Sequence, residues 1–154
     1  NESIPAELLK KISRASKFNQ GFATTEYLAA SYLDLAWHTL EEKVEDANVF
    51  EKEILQNLGL IPEIASRYRS TYFAHIFAGG YSSGYYSYLW TEVLDADAFE
   101  LFKEKGLFDA ETANNLKTLI YSSGNTRDLM DQYRKFKGSD PEIEPLLERR
   151  GLVD

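Results

Sequence analysis

The sequence predicts an all-helical protein, and three observations carry that expectation. Apolar residues recur at intervals of three and four along most of the 154 residues. No run of alternating β-branched residues bounded by turn signals appears. The periodic stretches are punctuated in the way helices require, with Asp46, Asp109 and Thr126 at starts and Gly59, Gly106, Gly138 and Gly151 at ends. About seven helices joined by short connections follow, and the length predicts a single helical domain over 1–154.

Taken in order, Ser3 is placed to cap a first helix with Pro5 in its first turn and Ile4, Leu8, Leu9 and Ile12 as its apolar stripe. Phe18-Asn19-Gln20-Gly21-Phe22 breaks that pattern, as a tight connection or as the kinked start of the next helix. Thr24 or Thr25 caps the second helix, expected to reach Glu42 with Tyr27, Leu28, Tyr32, Leu35, Ala36 and Leu40 facing inward beside Trp37 and His38. Asp46 or Asn48 starts a third helix through Leu58, closed by Gly59. Pro62 opens a short helical turn toward Arg69. A helix bearing Tyr81, Tyr85 and Tyr88 is expected to run on toward Lys105, bent near Asp95-Ala96-Asp97. Asp109 caps a helix through Ile120, Thr126 caps one through Phe136, and Asp140-Pro141 opens the last.

Composition bounds the function. Net charge is −8, which disfavours nucleic acid and anionic membrane as partners, and no apolar run reaches transmembrane length. Cysteine is absent, so no disulfide framework and no thiolate metal site can form. That fits a reducing compartment, which makes the cytoplasm the first expectation and the periplasm the second. The two histidines, His38 and His75, lie far apart and no His-Glu-x-x-His occurs, so a self-contained zinc site is not expected. Neither a Gly-x-Ser-x-Gly elbow nor a phosphate-binding glycine loop is present.

The distinctive stretch runs from His75 to Trp90. It holds three of the nine glycines and four of the ten tyrosines. Gly79, Gly80 and Gly84 make a backbone that can bend. Tyr81, Tyr85 and Tyr88, spaced by four and three, share one face if the segment is helical, while Tyr86, Leu89, Trp90 and Val93 form a second, core-like face. Each feature also has a structural account. His75 reads also as a partly buried imidazole bonded to a backbone carbonyl, His38 as a structural residue in mid-helix beside Trp37, and the tyrosines as core residues with hydroxyls at the rim. Asn19 and Gln20 suit a turn better than a ligand. Arg67, Arg69, Arg127, Arg149 and Arg150 read as surface charge; one of them could receive a substrate carboxylate, but spacing does not choose which.

Phe73-Ala74-His75-Ile76-Phe77-Ala78-Gly79-Gly80-Tyr81 and Gly84-Tyr85-Tyr86-Ser87-Tyr88-Leu89-Trp90 together resemble the signature of the thimet-oligopeptidase (M3) family of zinc metallopeptidases. The likeness extends over nearly the whole chain. Phe18 to Ala30 is more similar to the peptidyl-dipeptidase branch than to the oligopeptidase A branch. Phe136-Lys137-Gly138, Glu144-Pro145-Leu146-Leu147 and Arg150-Gly151-Leu152 resemble the family's C-terminal end. The family's zinc-ligand helix and general base are absent, so the resemblance implies the C-terminal part of a helical clamshell's catalytic domain, with zinc bound in the complete enzyme by residues elsewhere in the polypeptide.

The resemblance further implies His75 and Tyr88 as donors to the oxyanion or to substrate near it. It implies Tyr81 and Tyr85 as substrate-binding tyrosines, and Gly79, Gly80 and Gly84 as the flexible loop that brings them in. The expected partners are oligopeptide substrates and the N-terminal remainder of the same polypeptide. The expected activity is release of C-terminal dipeptides, with the isolated chain inactive and prone to self-association. An internally cutting oligopeptidase and a non-catalytic helical interaction domain are the alternatives.

Overall fold

Every regular element among the described residues, 3–153 of the computed structural model, is helical. Eight α-helices occur in order: α1 (Ala6–Ser16), α2 (Gln20–His38), α3 (Ala47–Asn57), α4 (Ala74–Phe77), α5 (Ser87–Lys105), α6 (Ala110–Asn115), α7 (Leu129–Lys137) and α8 (Glu144–Arg150). A 3₁₀ turn at Ser70–Tyr72 precedes α4, and a π-helical segment at Leu116–Tyr121 continues α6. The contacts divide the chain into two compact units, residues 1–88 and 89–154. No helix among the described residues is long and apolar enough to cross a membrane.

Local chemistry explains most of the boundaries. The Asp46 carboxylate accepts from the backbone N–H groups of Asn48 and Val49 at 2.8 and 3.2 Å, and Asp109 accepts from Thr112 N–H at 2.8 Å. Each satisfies donors that a helix start leaves open. Gly59 closes α3 in the left-handed region, with its own N–H bonded to Gln56 and that of Leu60 bonded to Leu55.

Several boundaries differ from the expectation. α1 begins after Pro5 with no side-chain cap, so Ser3 does not cap it. α2 starts at Gln20, behind Asn19 at φ +57°, and Thr24 and Thr25 sit inside it; the kinked start is what forms. It ends at His38, short of Glu42. Residues after Pro62 form turns rather than a helix. α5 runs unbroken through Asp95-Ala96-Asp97. The cap of α7 is Asp128, which accepts from Asp131 N–H at 2.8 Å, whereas the Thr126 hydroxyl donates to Ser123 C=O. α8 starts at Glu144, with Pro145 in its first turn, not at Pro141.

The first unit is built on a stripe of α2 that differs from the expected one. Ala29, Ala30, Ser31, Leu33 and Asp34 are buried, while Leu28, Tyr32 and Leu40 are exposed. The small alanines let rings from later in the chain approach the helix: Ala30 packs with Phe73, Ile76 and Tyr85, flanked by Tyr27, Trp37, Tyr68 and Tyr88. On the far side, the Trp37 indole N–H donates to the Ser70 hydroxyl at 2.8 Å, and buried Glu51 accepts from Ser70 N–H at 2.6 Å. Those bonds fix the 3₁₀ turn that leads into α4. The second unit has its own apolar cluster of Val93, Ala96 and Leu146 beside Leu89. There the buried Asp97 carboxylate accepts from the Tyr133 hydroxyl at 2.5 Å and pairs with Lys137 at 3.1 Å.

Candidate functional site

The stretch between α4 and α5 is a chain of turns, not a helix. Helical spacing therefore does not explain how Tyr81, Tyr85 and Tyr88 come together, yet they do. The Tyr81 and Tyr88 rings stack with centroids 4.9 Å apart, and Tyr85 lies 5.4 Å from Tyr88. Tyr85 is buried, whereas Tyr86 and Trp90, expected on the core face, are exposed.

The turns are held by specific bonds. Tyr81 N–H donates to the His75 carbonyl at 3.1 Å, Gly84 N–H to the Tyr81 carbonyl at 2.8 Å, and the Ser82 hydroxyl to the Ile76 carbonyl at 2.7 Å. The Asp34 carboxylate, reaching in from α2 and closed to solvent, accepts from Ser83 N–H at 3.0 Å and Tyr85 N–H at 2.8 Å. His38 Nδ1 lies 2.8 Å from both the Asp34 backbone carbonyl oxygen and an Asp34 carboxylate oxygen, so this imidazole faces Asp34 rather than the tyrosine face. Ser83 is drawn into the left-handed region at φ +54°, a conformation that costs an L-residue roughly 1–2 kcal/mol and that the ionic bond offsets.

Two glycines are required here for shape. A Cβ on Gly79 would stand 2.9 Å from both the Cα and the carbonyl oxygen of His75, and Gly80 holds φ +81°. Gly84 is less constrained: a Cβ there would meet the Tyr81 carbonyl at 3.4 Å, close to ordinary contact.

The imidazole of His75, on α4, sits half-buried among these rings. Its centroid is 5.0 Å from Tyr68, 5.7 Å from Tyr85, 6.1 Å from Tyr81 and 6.5 Å from Tyr88. Tyr27 of α2 stacks on Tyr85 at 5.3 Å and meets Tyr88 edge-on at 6.5 Å. The outcome is one patch of phenols with an imidazole inside it. A hydrogen bond with Tyr81 and the surrounding phenols push the Tyr88 hydroxyl up to about 12. Burial raises Tyr85 as well. Both phenols therefore keep their protons, and remain donors, throughout the neutral range.

Further residues complete the patch. Arg67 lies over the Tyr27 and Tyr68 rings, its guanidinium carbon 5.6 and 5.8 Å from their centroids. Burial acts to lower its pKa, but Tyr68 and Tyr85 outweigh that and raise it. Tyr68 and Tyr27 carried no signal that set them apart from other aromatics. Asn19 and Gln20 act locally: Asn19 supplies the left-handed turn, and the Gln20 amide donates to Ser16 C=O at 2.9 Å. Clefts of about 530, 440 and 380 Å³ lie beside α3, beside the π-helical segment and at the start of α3, and none of the patch residues lines any of them. Among the described residues no group of three or more His, Asp and Glu is placed to hold a metal ion.

The chain is similar in sequence to known proteins. Over 154 aligned residues, covering 98% of this chain, it is 44% identical to a dipeptidyl carboxypeptidase of Salmonella typhimurium, of which it spans 23%. A dipeptidyl carboxypeptidase of Escherichia coli is 45% identical over 97% of this chain and 22% of its own length. Oligopeptidase A of Escherichia coli is 35% identical over 98% of this chain and 22% of its own. The chain thus spans less than a quarter of the curated relatives it matches. The profile of Peptidase family M3 matches residues 1–152, and with all but the last two residues inside that match, the chain belongs to peptidase family M3.

Proposed function

We propose that this chain supplies the substrate-binding and oxyanion-stabilising surface of a peptidase that releases C-terminal dipeptides from oligopeptides. The carrying observation is the convergence of an imidazole, His75, and two phenols, Tyr81 and Tyr88, on one pinned turn segment. When a peptide carbonyl is attacked, charge builds on its oxygen, and preorganised neutral donors stabilise that charge at little reorganisation cost. His75 and Tyr88 are assigned this role. Tyr81, stacked on Tyr88, orients it, and Tyr85 fixes the base of the patch from the core side. Gly79 and Gly80 let the backbone turn tightly enough to present Tyr81 over His75.

The described residues do not form a metal cradle. The family resemblance implies zinc held by residues elsewhere in the polypeptide, and the isolated chain is expected to hydrolyse no peptide. Identity to dipeptidyl carboxypeptidases above that to oligopeptidase A supports the dipeptide-releasing reading.

Tyr88→Phe in the complete polypeptide tests the assignment. Losing one oxyanion donor costs on the order of 10²–10³ in kcat, with a smaller change in KM because the interaction strengthens in the transition state. Tyr86→Phe, on the exposed neighbour, is expected to leave both parameters unchanged. A Tyr88→Phe enzyme with wild-type kcat would remove Tyr88 from the mechanism.

A further inference from the structure

We propose that Arg67 is the receptor for the free C-terminal carboxylate of a peptide lying along the tyrosine patch. This rests on the peptidase reading above and names the subsite that reading leaves open.

Three observations carry it. The first is the state of the guanidinium. Arg69, Arg134, Arg149 and Arg150 each hold a carboxylate at 2.5 to 2.7 Å. The nearest carboxylate paired with Arg67, that of Glu26, stands off at 3.8 Å, beyond charge-assisted hydrogen-bond length, and the Arg67 side chain is 45% exposed. Its planar fork hydrogen-bonds with the Tyr68 and Tyr85 side chains but holds the Glu26 carboxylate only loosely, and such a fork takes a carboxylate with two parallel bonds.

The second is preorganisation. The group lies over Tyr27 and Tyr68 rather than sweeping through solvent, so little side-chain freedom remains to be lost on binding.

The third is spacing. Tyr27, under the guanidinium, lies 6.5 Å from the Tyr88 ring, and Tyr68, on its other side, lies 5.0 Å from His75. One ring therefore separates Arg67 from each proposed oxyanion donor. Two extended residues span about 7 Å. A carboxylate a short way beyond a carbonyl held by His75 and Tyr88 therefore stays on the ring patch that the guanidinium borders.

The test uses the complete polypeptide and a pair of peptides that differ only in a C-terminal carboxylate or amide. The wild type should prefer the free acid. Arg67→Gln should raise KM for the acid by about 10- to 100-fold, the span expected for a hydrogen-bonded ionic contact, with kcat little changed and the amide unaffected. Arg67→Lys keeps the charge without the fork and should recover part of the loss. Titration with a product dipeptide gives a readout that needs no turnover, and its affinity should fall by the same factor. Glu26→Gln removes the competing carboxylate, leaves Arg67 in place and should tighten the dipeptide. Equal losses on acid and amide, or unchanged dipeptide affinity in either variant, would overturn the assignment while leaving the peptidase reading intact. A wild type that hydrolyses neither peptide would sink that reading, and the dipeptide titration would still decide on Arg67.

Discussion

Asp34 carries a carboxylate in a place fully closed to solvent, and its two oxygens accept the backbone N–H groups that shape the tyrosine turn. A buried charge is costly unless it is fully bonded, and this one is. Hydrogen bonds to charged groups contribute roughly 1.5–3 kcal/mol each, so Asp34→Ala, which leaves both amides unpaired, should cost about 3–5 kcal/mol of stability in urea unfolding. Asp34→Asn keeps the shape and one good acceptor and should cost less. The distinguishing measurement is amide exchange: Ser83 and Tyr85 should lose protection in both variants by more than α3 does. Equal changes throughout the first unit would mean that Asp34 fills space and anchors nothing. The importance of Asp34 is hard to read from sequence, because a carboxylate four residues before a histidine on a helix looks like a surface ion pair. Only the fold reveals that α2 presents Ala30, Leu33 and Asp34 inward and that the partner lies some fifty residues on.

At the scale of elements, what is legible in the sequence is whatever adjacent residues decide. Asp46 and Asp109 cap, and Gly59, Gly106, Gly138 and Gly151 end helices, because both partners of each bond lie within a few positions. Where two local candidates compete, the reading slips. Thr126 and Asp128 both suit an N-cap, but the turn after Ser123 takes the Thr126 hydroxyl and leaves Asp128 to accept from Asp131 N–H. Asp128→Ala should therefore lower stability by about 1 kcal/mol through loss of the cap, and Thr126→Ala by less, in matched thermal melts. The reverse order would make Thr126 the functional cap. The segment 81–86 is a deeper failure of local reading. Tyr81, Tyr85 and Tyr88 carry a helical period, yet Gly79 and Gly80 just before them, and the pull of Asp34 on Ser83, turn the chain instead. The tyrosines still meet, for a tertiary reason.

For the molecule as a whole, α1 has a face with nothing described against it. Ile4, Leu8, Leu9 and Ile12 are each about half exposed, and no residue of α1 is buried. The opposite face carries Glu7, Lys10, Lys11 and Arg14, with Lys10 and Glu7 paired at 3.4 Å. An amphipathic helix stabilises a fold by burying its apolar stripe, since propensity alone holds eleven residues poorly in water. The relatives that the chain matches are more than four times its length. As an isolated 154-residue chain, the protein should therefore bury this stripe against a second copy. Sedimentation should show concentration-dependent association that Leu8→Glu or Leu9→Glu abolishes, because each would desolvate a charge within the contact. The same substitutions should barely move the unfolding midpoint of the dilute monomer, where the stripe is already wet. A monomer at all concentrations would mean that α1 is stable without partners. A Leu8→Glu chain that still associates would move the contact elsewhere, with exposed Phe18 and Phe108 the next side chains to change.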